Sequence, residues 1–314
     1  MKRIFAAFIS AAIIMISFSG CSRAAGEERV TPPFFCVRDE STGGCVYMLG
    51  SMHVGKPNTV YPEEINRAFE ESELLACEVD TVALSSDREL ITQCSALLLC
   101  PEGTQTADYL GEDYESIAEF FRANGIMNNN LNSYLPVMWE SMLSNSTAKK
   151  CGFDSEYGTE QTFLSLAKQT GKPIVEIESA LAQYEMTSSE PTELSRYSLK
   201  TSVLGGTEKL NSDMLRLYNA WAQGDGECMA AMLNEEMPPE ELSEEYAAYY
   251  NAMYTDRQKV MADSVVAWLS EGKTVFMMVG ALHYYAEPDI LTVLQQAGYQ
   301  FESAYAPTET APAA

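Results

Sequence analysis

The chain contains two histidines, and each closes the same tetrapeptide pattern, Gly-x-x-His: Gly50-Ser51-Met52-His53 and Gly280-Ala281-Leu282-His283. With 19 glycines among 314 residues, chance puts glycine three places before both histidines in about 0.4% of sequences of this composition. Each motif ends an apolar, strand-like run, Val46-Tyr47-Met48-Leu49 and Val275-Phe276-Met277-Met278-Val279. Imidazole is the commonest protein metal ligand and a frequent general base. Two rings on two strand ends can meet in space although they are remote in sequence, so this pair marks where chemistry is expected.

Carboxylates close other strand-like runs. Leu74-Leu75-Ala76-Cys77 leads into Glu78-Val79-Asp80, and Ile174-Val175-Glu176-Ile177 leads into Glu178. A carboxylate at the end of an apolar strand must be paired, ligated or placed at a pocket rim. On a regular strand Asp80 would share the face of Glu78; helix capping or solvent exposure is the alternative for either. Gly50 and Gly280 are expected as backbone requirements, where a side chain would obstruct the bend that aims each histidine.

These residues need elements to hold them. Phe34–Val37 and Val46–Leu49, separated by Gly43-Gly44, read as a strand pair. Pro62 starts a helix with Ile65, Ala68 and Phe69 on one face. Residues 86–150 read as helices broken near Pro101, Gly125 and Pro136. A helix through Glu160–Gln169 stops at Gly171, and a strand to Glu178 follows. From about Ala180 to Glu271 the chain is again mainly helical, ending in a helix with Met261, Val265, Trp268 and Leu269 on one stripe. A helix from Pro288 to Gln296 leads to a last strand near Tyr299–Phe301. Strands separated by helices predict an α/β fold, with a central mixed sheet, a strand-end active site and large helical insertions. In open α/β sheets, sites gather beyond the carboxyl ends of strands.

The chain begins with Lys2-Arg3, then an uncharged apolar run from Ile4 to Phe18, then Ser19-Gly20-Cys21. A basic start, an apolar centre and small residues before a cut form a secretory signal. The run is short for a membrane-spanning helix, which needs about 20 apolar residues. Residues 1–20 are therefore read as a signal peptide, 21–32 as a tether, 33–306 as one domain and 307–314 as a flexible tail. The net charge of −25 repels nucleic acid and anionic headgroups, so neither is an expected partner. Of the eight cysteines, Cys36 and Cys45 flank a turn, and Cys94 and Cys100 lie close together. They are the candidate disulfide pairs, although spacing alone does not establish connectivity. No Gly-x-Ser-x-Gly, phosphate-loop, His-Glu-x-x-His or Cys-x-x-Cys motif occurs, which argues against those chemistries.

The Ser19-Gly20-Cys21 stretch resembles the lipobox of bacterial lipoproteins, in which Cys21 would be lipidated and become the mature N-terminus. The implied location is extracytoplasmic, attached to the membrane by lipid alone. From about Tyr47 to Phe301 the chain resembles the TraB/GumN family, whose animal relatives include the Tiki metalloproteases. The ordered set of matching pieces carries this: Leu49-Gly50-Ser51-Met52-His53-Val54, Cys77-Glu78-Val79-Asp80, Tyr157-Gly158-Thr159-Glu160, Gly171-Lys172-Pro173, Glu178 with Gln183, Trp221 with Gly224-Asp225, Arg257, and Gly280-Ala281-Leu282-His283. Two departures bear on substrate fit. Leu282 and Tyr284 flank His283 where the family has Gly-His-Leu, and Gln258 follows Arg257 where asparagine is usual.

The resemblance implies metal-dependent peptide cleavage. His53 and His283 would bind a divalent transition metal (Mn, Co or Zn), with Glu78 or Asp80 completing the set and an open position left for water. Glu78 or Asp80 could instead act as general base or orient a histidine, and Glu178 is favoured as a further site residue. Arg257 would stabilise a developing oxyanion or clamp a substrate carboxylate; the alternative is an ion pair holding Glu178 or Glu78. The leading expectation is thus a surface-anchored metal-dependent hydrolase acting on a peptide or protein. The rivals are a non-catalytic lipoprotein that binds a peptide, haem or iron, and a degenerate scaffold whose site only holds the sheet together.

Overall fold

The computed structural model describes residues 26–235 and 238–305. The signal peptide, Cys21, the first part of the tether and the tail 307–314 lie outside the described residues. Eight strands occur in chain order: β1 Glu28–Arg29, β2 Phe34–Asp39, β3 Gly44–Ser51, β4 Thr59–Val60, β5 Leu74–Cys77, β6 Ile174–Glu176, β7 Thr274–Gly280 and β8 Phe301–Ser303. Six of them form one mixed sheet in the order β6-β5-β7-β3-β2-β8. β6, β5, β7 and β3 run parallel to one another, while β2 pairs antiparallel with β3 and with β8.

The alternation of a strand explains both cores. Along β7, Val275, Met277 and Val279 join Val46, Met48 and Ala76 in a cluster covered by Met261, Ala262 and Val265 of the helix Asp256–Ser270 and by Ile290 and Leu294 of the helix Ile290–Gln296. Phe276 and Met278 point the other way, with Leu49 and Leu75, against Phe69, Phe163, Leu164, Leu217 and Trp221. A strand buried on both faces needs an uninterrupted apolar run, which is what Val275–Val279 supplies. The structure is thus an α/β fold with a central mixed sheet and extensive helices. A third cluster, including Leu110, Phe121, Trp139, Leu143 and Leu199, gives the helical segments between β5 and β7 a core of their own.

Three expectations are corrected. The tether ends sooner than residue 32: Glu28–Arg29 pairs with Thr59–Val60, Val30 is buried, and the Thr31 amide donates to the Ala222 carbonyl at 2.7 Å. An apolar side chain and backbone hydrogen bonds together draw this segment into the fold. The last strand falls at Phe301–Ser303, where its backbone can reach the open edge of β2. All seven described cysteines, Cys36, Cys45, Cys77, Cys94, Cys100, Cys151 and Cys228, are free thiols. Among the described residues, no helix is long and apolar enough to cross a membrane.

Candidate active site

Because the four adjacent strands are parallel, their carboxyl ends lie along one edge of the sheet. Ser51 is level with Gly280, and Cys77 is level with Met278 and with Glu176. That register delivers His53, Glu78, Glu178 and His283 to the same edge. A cavity of about 120 Å³ opens there. His53, His283, Glu78, Glu160, Gln183 and Arg257 supply much of its polar wall, and Met52, Met229, Met253, Tyr254 and Leu282 are among its apolar lining.

His53 stands two residues beyond β3, its side chain 47% exposed at the rim. Its Nδ1 lies 2.9 Å from Glu160 Oε1, which also accepts from Ser51 Oγ at 2.5 Å. Burial opposes charge on this ring, but the Glu160 carboxylate outweighs it and raises the imidazole to about 9. Glu160 is delivered by the first turn of the helix Thr159–Thr170. That turn is held to the His53 loop by Thr159 N–H donating to the Met52 carbonyl at 3.0 Å, and by Met52 N–H donating to Thr159 Oγ1 at 3.1 Å. Gly158 permits the approach, since a Cβ there would stand 2.5 Å from the His53 carbonyl oxygen.

His283 is different. A short 3-10 turn, Ala281–Tyr284, follows β7 and carries the ring inward, leaving it 5% exposed. Burial, and then the Arg257 guanidinium, push it down to about 3, so it is a neutral imidazole. Its Nε2 stands 3.9 Å from Glu78 Oε1, and its Nδ1 is buried without a hydrogen-bond partner. The turn that carries it is held by Gln258, whose Nε2 donates to the Ala286 carbonyl at 3.0 Å and the His283 carbonyl at 3.4 Å. The departure from the usual asparagine therefore supports the histidine loop.

Glu78 is bonded from three different residues. It accepts from Arg257 Nη2 at 2.6 Å, from Gly280 N–H at 2.7 Å and from Gln183 Nε2 at 3.0 Å. Burial alone would raise its pKa; Arg257 foremost, then the two imidazoles and the Gly280 amide, bring it down to about 2. Arg257 also grips Glu178 through Nε at 2.7 Å and Nη2 at 2.9 Å, and its Nη1 donates to the Met253 carbonyl at 3.1 Å. Met253 belongs to a π-helical turn, Asn251–Thr255, that runs into the helix carrying Arg257. Such wide turns recur at functional sites because they re-aim a side chain.

Three assignments change as a result. Arg257 has its donors committed to Glu78, Glu178 and Met253, so it organises carboxylates and has no free N–H fork to clamp a substrate. Glu178 stands behind that guanidinium and does not line the cavity. Asp80 turns away altogether. β5 ends at Cys77, so strand alternation does not reach residue 80; its carboxylate caps the helix Thr81–Leu84 through Ala83 N–H at 2.8 Å and pairs with Lys168 at 2.8 Å. Of the paired glycines, Gly50 is the tighter, since a Cβ would lie 3.1 Å from Ala281 and Pro33 atoms, which would have to give by a few tenths of an ångström. At Gly280 the nearest atoms are 3.5 Å away, an ordinary contact. Tyr284 packs against Phe35 on the far face of the sheet.

Glu160, Ser51 and Gln183 are the functional candidates that residue patterns alone passed over. Glu160 occupies a helix start, where acidic residues are common for reasons unrelated to chemistry. Its one available signal was its place in the Tyr157-Gly158-Thr159-Glu160 piece.

Donor chemistry at this edge suits a divalent metal ion. Glu160 bonds His53 Nδ1, a common arrangement behind metal-ligating histidines, and with the ring raised to about 9 its Nε2 must give up a proton before it can ligate. The buried, unpartnered His283 Nδ1 and Glu160 Oε2 are polar atoms that otherwise lack compensation. Among the described residues, no three His, Cys, Asp or Glu side chains already surround one point closely enough to hold an ion, so the edge offers donors and not a closed coordination shell. The family described as TraB/PrgY/gumN matches residues 33–303 of the chain. No curated protein and no solved structure matches it. The match spans nearly the whole chain, and the protein therefore belongs to the TraB/PrgY/gumN family.

Proposed function

We propose that this TraB/PrgY/gumN-family protein is a divalent-metal-dependent hydrolase that acts on a peptide or protein and is held at the outer face of the membrane through a lipid on Cys21. The observation that carries the catalytic part is the meeting of His53 and His283 on one cavity beside Glu78, with His283 Nδ1 buried and unpartnered. His53 and His283 would hold the ion, Mn, Co or Zn by donor type, with Glu78 the carboxylate beside His283 and Glu160 the one beside His53. When bound, such an ion supplies Lewis acidity, polarising a carbonyl oxygen and acidifying water.

The chain's own groups divide the remaining work. Glu160 holds the proton of His53 Nδ1, and with the ring raised to about 9 a bound ion would have to displace the Nε2 proton. Glu78, held near 2, is a poor proton acceptor and serves as a fixed negative charge beside His283. Arg257, Glu178 and Gln183 prevent that charge from moving. Burial raises Glu160, but His53 and then Ser51 outweigh it and hold the carboxyl below its ordinary range, and its Oε2 has no hydrogen-bond partner. The apolar wall of Met52, Met229, Met253 and Leu282 offers a surface to an apolar side chain. A binder of peptide without turnover is the reading the experiment must separate.

The test is cleavage of a peptide library by protein loaded with Mn, Co or Zn, run beside calorimetric titration of each metal. His53→Ala and His283→Ala are expected to lower turnover at least a hundredfold and to weaken metal uptake. Undiminished cleavage by both variants, or stoichiometric metal binding without cleavage of any peptide, would reject the hydrolase.

A further inference from the structure

Away from the cavity, at the opposite end of β3 from His53, two buried thiols face each other. In the β2–β3 register Cys36 is level with Tyr47, and Cys45 is level with Arg38. Residues 45 and 47 point to the same side of a strand, so the two cysteines are diagonal neighbours on one face. Their sulfurs are 3.5 Å apart. Relative exposure is 2% at Cys36 and 4% at Cys45, and Cys36 Sγ has one other contact of hydrogen-bond type, the Val37 carbonyl at 3.9 Å.

We propose that Cys36 and Cys45 are a peroxide-responsive dithiol, with Cys45 the attacking sulfur and Cys36 the resolving one, closing a disulfide between β2 and β3. The two sulfurs already stand 3.5 Å apart, and they must close to about 2.05 Å for the bridge to form. The two roles differ because the surroundings differ. The contact with Cys36 brings Cys45 down to about 7, and the Arg38 guanidinium adds to this against burial. The same contact, followed by burial, pushes Cys36 far upward, so it keeps its proton until Cys45 has reacted. A thiolate near neutrality is the reactive form of cysteine. Burial selects a small oxidant, since a disulfide-carrying protein cannot dock on sulfurs this enclosed.

The step balances with hydrogen peroxide as co-reactant. Cys45 sulfur attacks one peroxide oxygen, the S–O bond forms, the O–O bond breaks, and the departing hydroxide takes up a proton to leave as water. Cys36 sulfur then attacks the sulfenic sulfur of Cys45, forming S–S and breaking S–O, and a second water leaves with the Cys36 proton. Two thiols lose two electrons, and one peroxide becomes two waters. Cys45 is level with Thr274 at the start of β7, so the bridge lies at the strand ends remote from both histidines and is independent of the hydrolase reading.

Reduced, folded full-length protein is treated with hydrogen peroxide, unfolded, alkylated and cut with trypsin; Arg38 separates the two cysteines into the peptides Val30–Arg38 and Asp39–Arg67. The expected result is loss of two alkylatable thiols, with these two peptides linked and the link reversed by dithiothreitol. In Cys36→Ser, Cys45 is expected to stop at a sulfenic acid trapped by dimedone. Two outcomes overturn the proposal. In one, folded wild-type protein still yields both peptides fully alkylated, or linked to other cysteines. In the other, Cys45→Ser leaves Cys36 oxidised at the wild-type rate.

Discussion

Two regions of this molecule bury a pair of carboxyl groups, and they handle the charge in opposite ways. At the sheet edge Glu78 and Glu178 share Arg257, and Glu78 is held ionised at about 2. In the helical region Glu140, on the helix Pro136–Lys150, meets Glu190 with hydroxyls for company: Ser198 Oγ donates to Glu140, and Ser195 and Tyr249 act on Glu190. Burial, and then the neighbouring carboxylate, push Glu140 well above its ordinary range. Burial raises Glu190 to about 7. Glu140 therefore keeps its proton beside Glu190. A buried carboxyl either finds a cation or becomes neutral. The first solution leaves a fixed negative charge beside a neutral imidazole, which a candidate catalytic edge can use; the second leaves a neutral clasp between helices.

The largest effect expected to break this contrast comes from removing the cation. Arg257→Met leaves Glu78 and Glu178 buried and unpaired, and should cost about 3–5 kcal/mol in urea unfolding at pH 7. A loss under about 1 kcal/mol would mean that the arginine is not what holds the edge together.

The two regions also predict opposite pH windows. Glu78 is depressed from 4.5 to about 2, so its stabilisation is fully present above about pH 4.5 and is lost as pH falls through 2. Glu190 is raised from 4.5 to about 7, so the folded state holds a proton that the unfolded chain has released. That stabilisation is present below about pH 4.5 and is lost as pH rises through 7. Glu190→Gln, which keeps an acceptor for the Glu140 proton, should flatten the loss on the alkaline side. At pH 8 it should gain on the order of 2 kcal/mol over wild type, with little change at pH 4. An unchanged alkaline slope in the urea midpoints would show that the helical pair does not titrate as a unit.

The smallest effect comes from a carboxylate outside both regions. Asp80→Ala removes a helix cap and the ion pair with Lys168, for which about 1 kcal/mol is expected. Metal affinity measured by calorimetry should be unaltered. A large fall in affinity would return Asp80 to the site.

Residue patterns disclosed much of the edge. The Gly-x-x-His pair, the acid after Cys77 and the apolar run Val275–Val279 each carry a local signal, because periodicity and strand ends are properties of short segments. Asp80 was misplaced because its alternation was extended past Cys77, where the chain leaves the strand to begin a helix. Glu160 was passed over because an acid in a first helical turn is ordinary until something is seen to face it. The Glu140–Glu190 pair has no local mark, since one residue sits in a helix and the other before a different helix, with the link made by packing.

The sequence by itself determined which strands and helices form and which side chains stand at their ends, since spacing and residue type act over a few positions. Tertiary structure decided what those ends share. Parallel pairing put four strand ends along one edge, burial left His283 neutral, and Arg257, arriving from a helix far along the chain, kept Glu78 charged. Solvation and Coulomb forces depend on distance through space, and that distance exists only once the chain has folded.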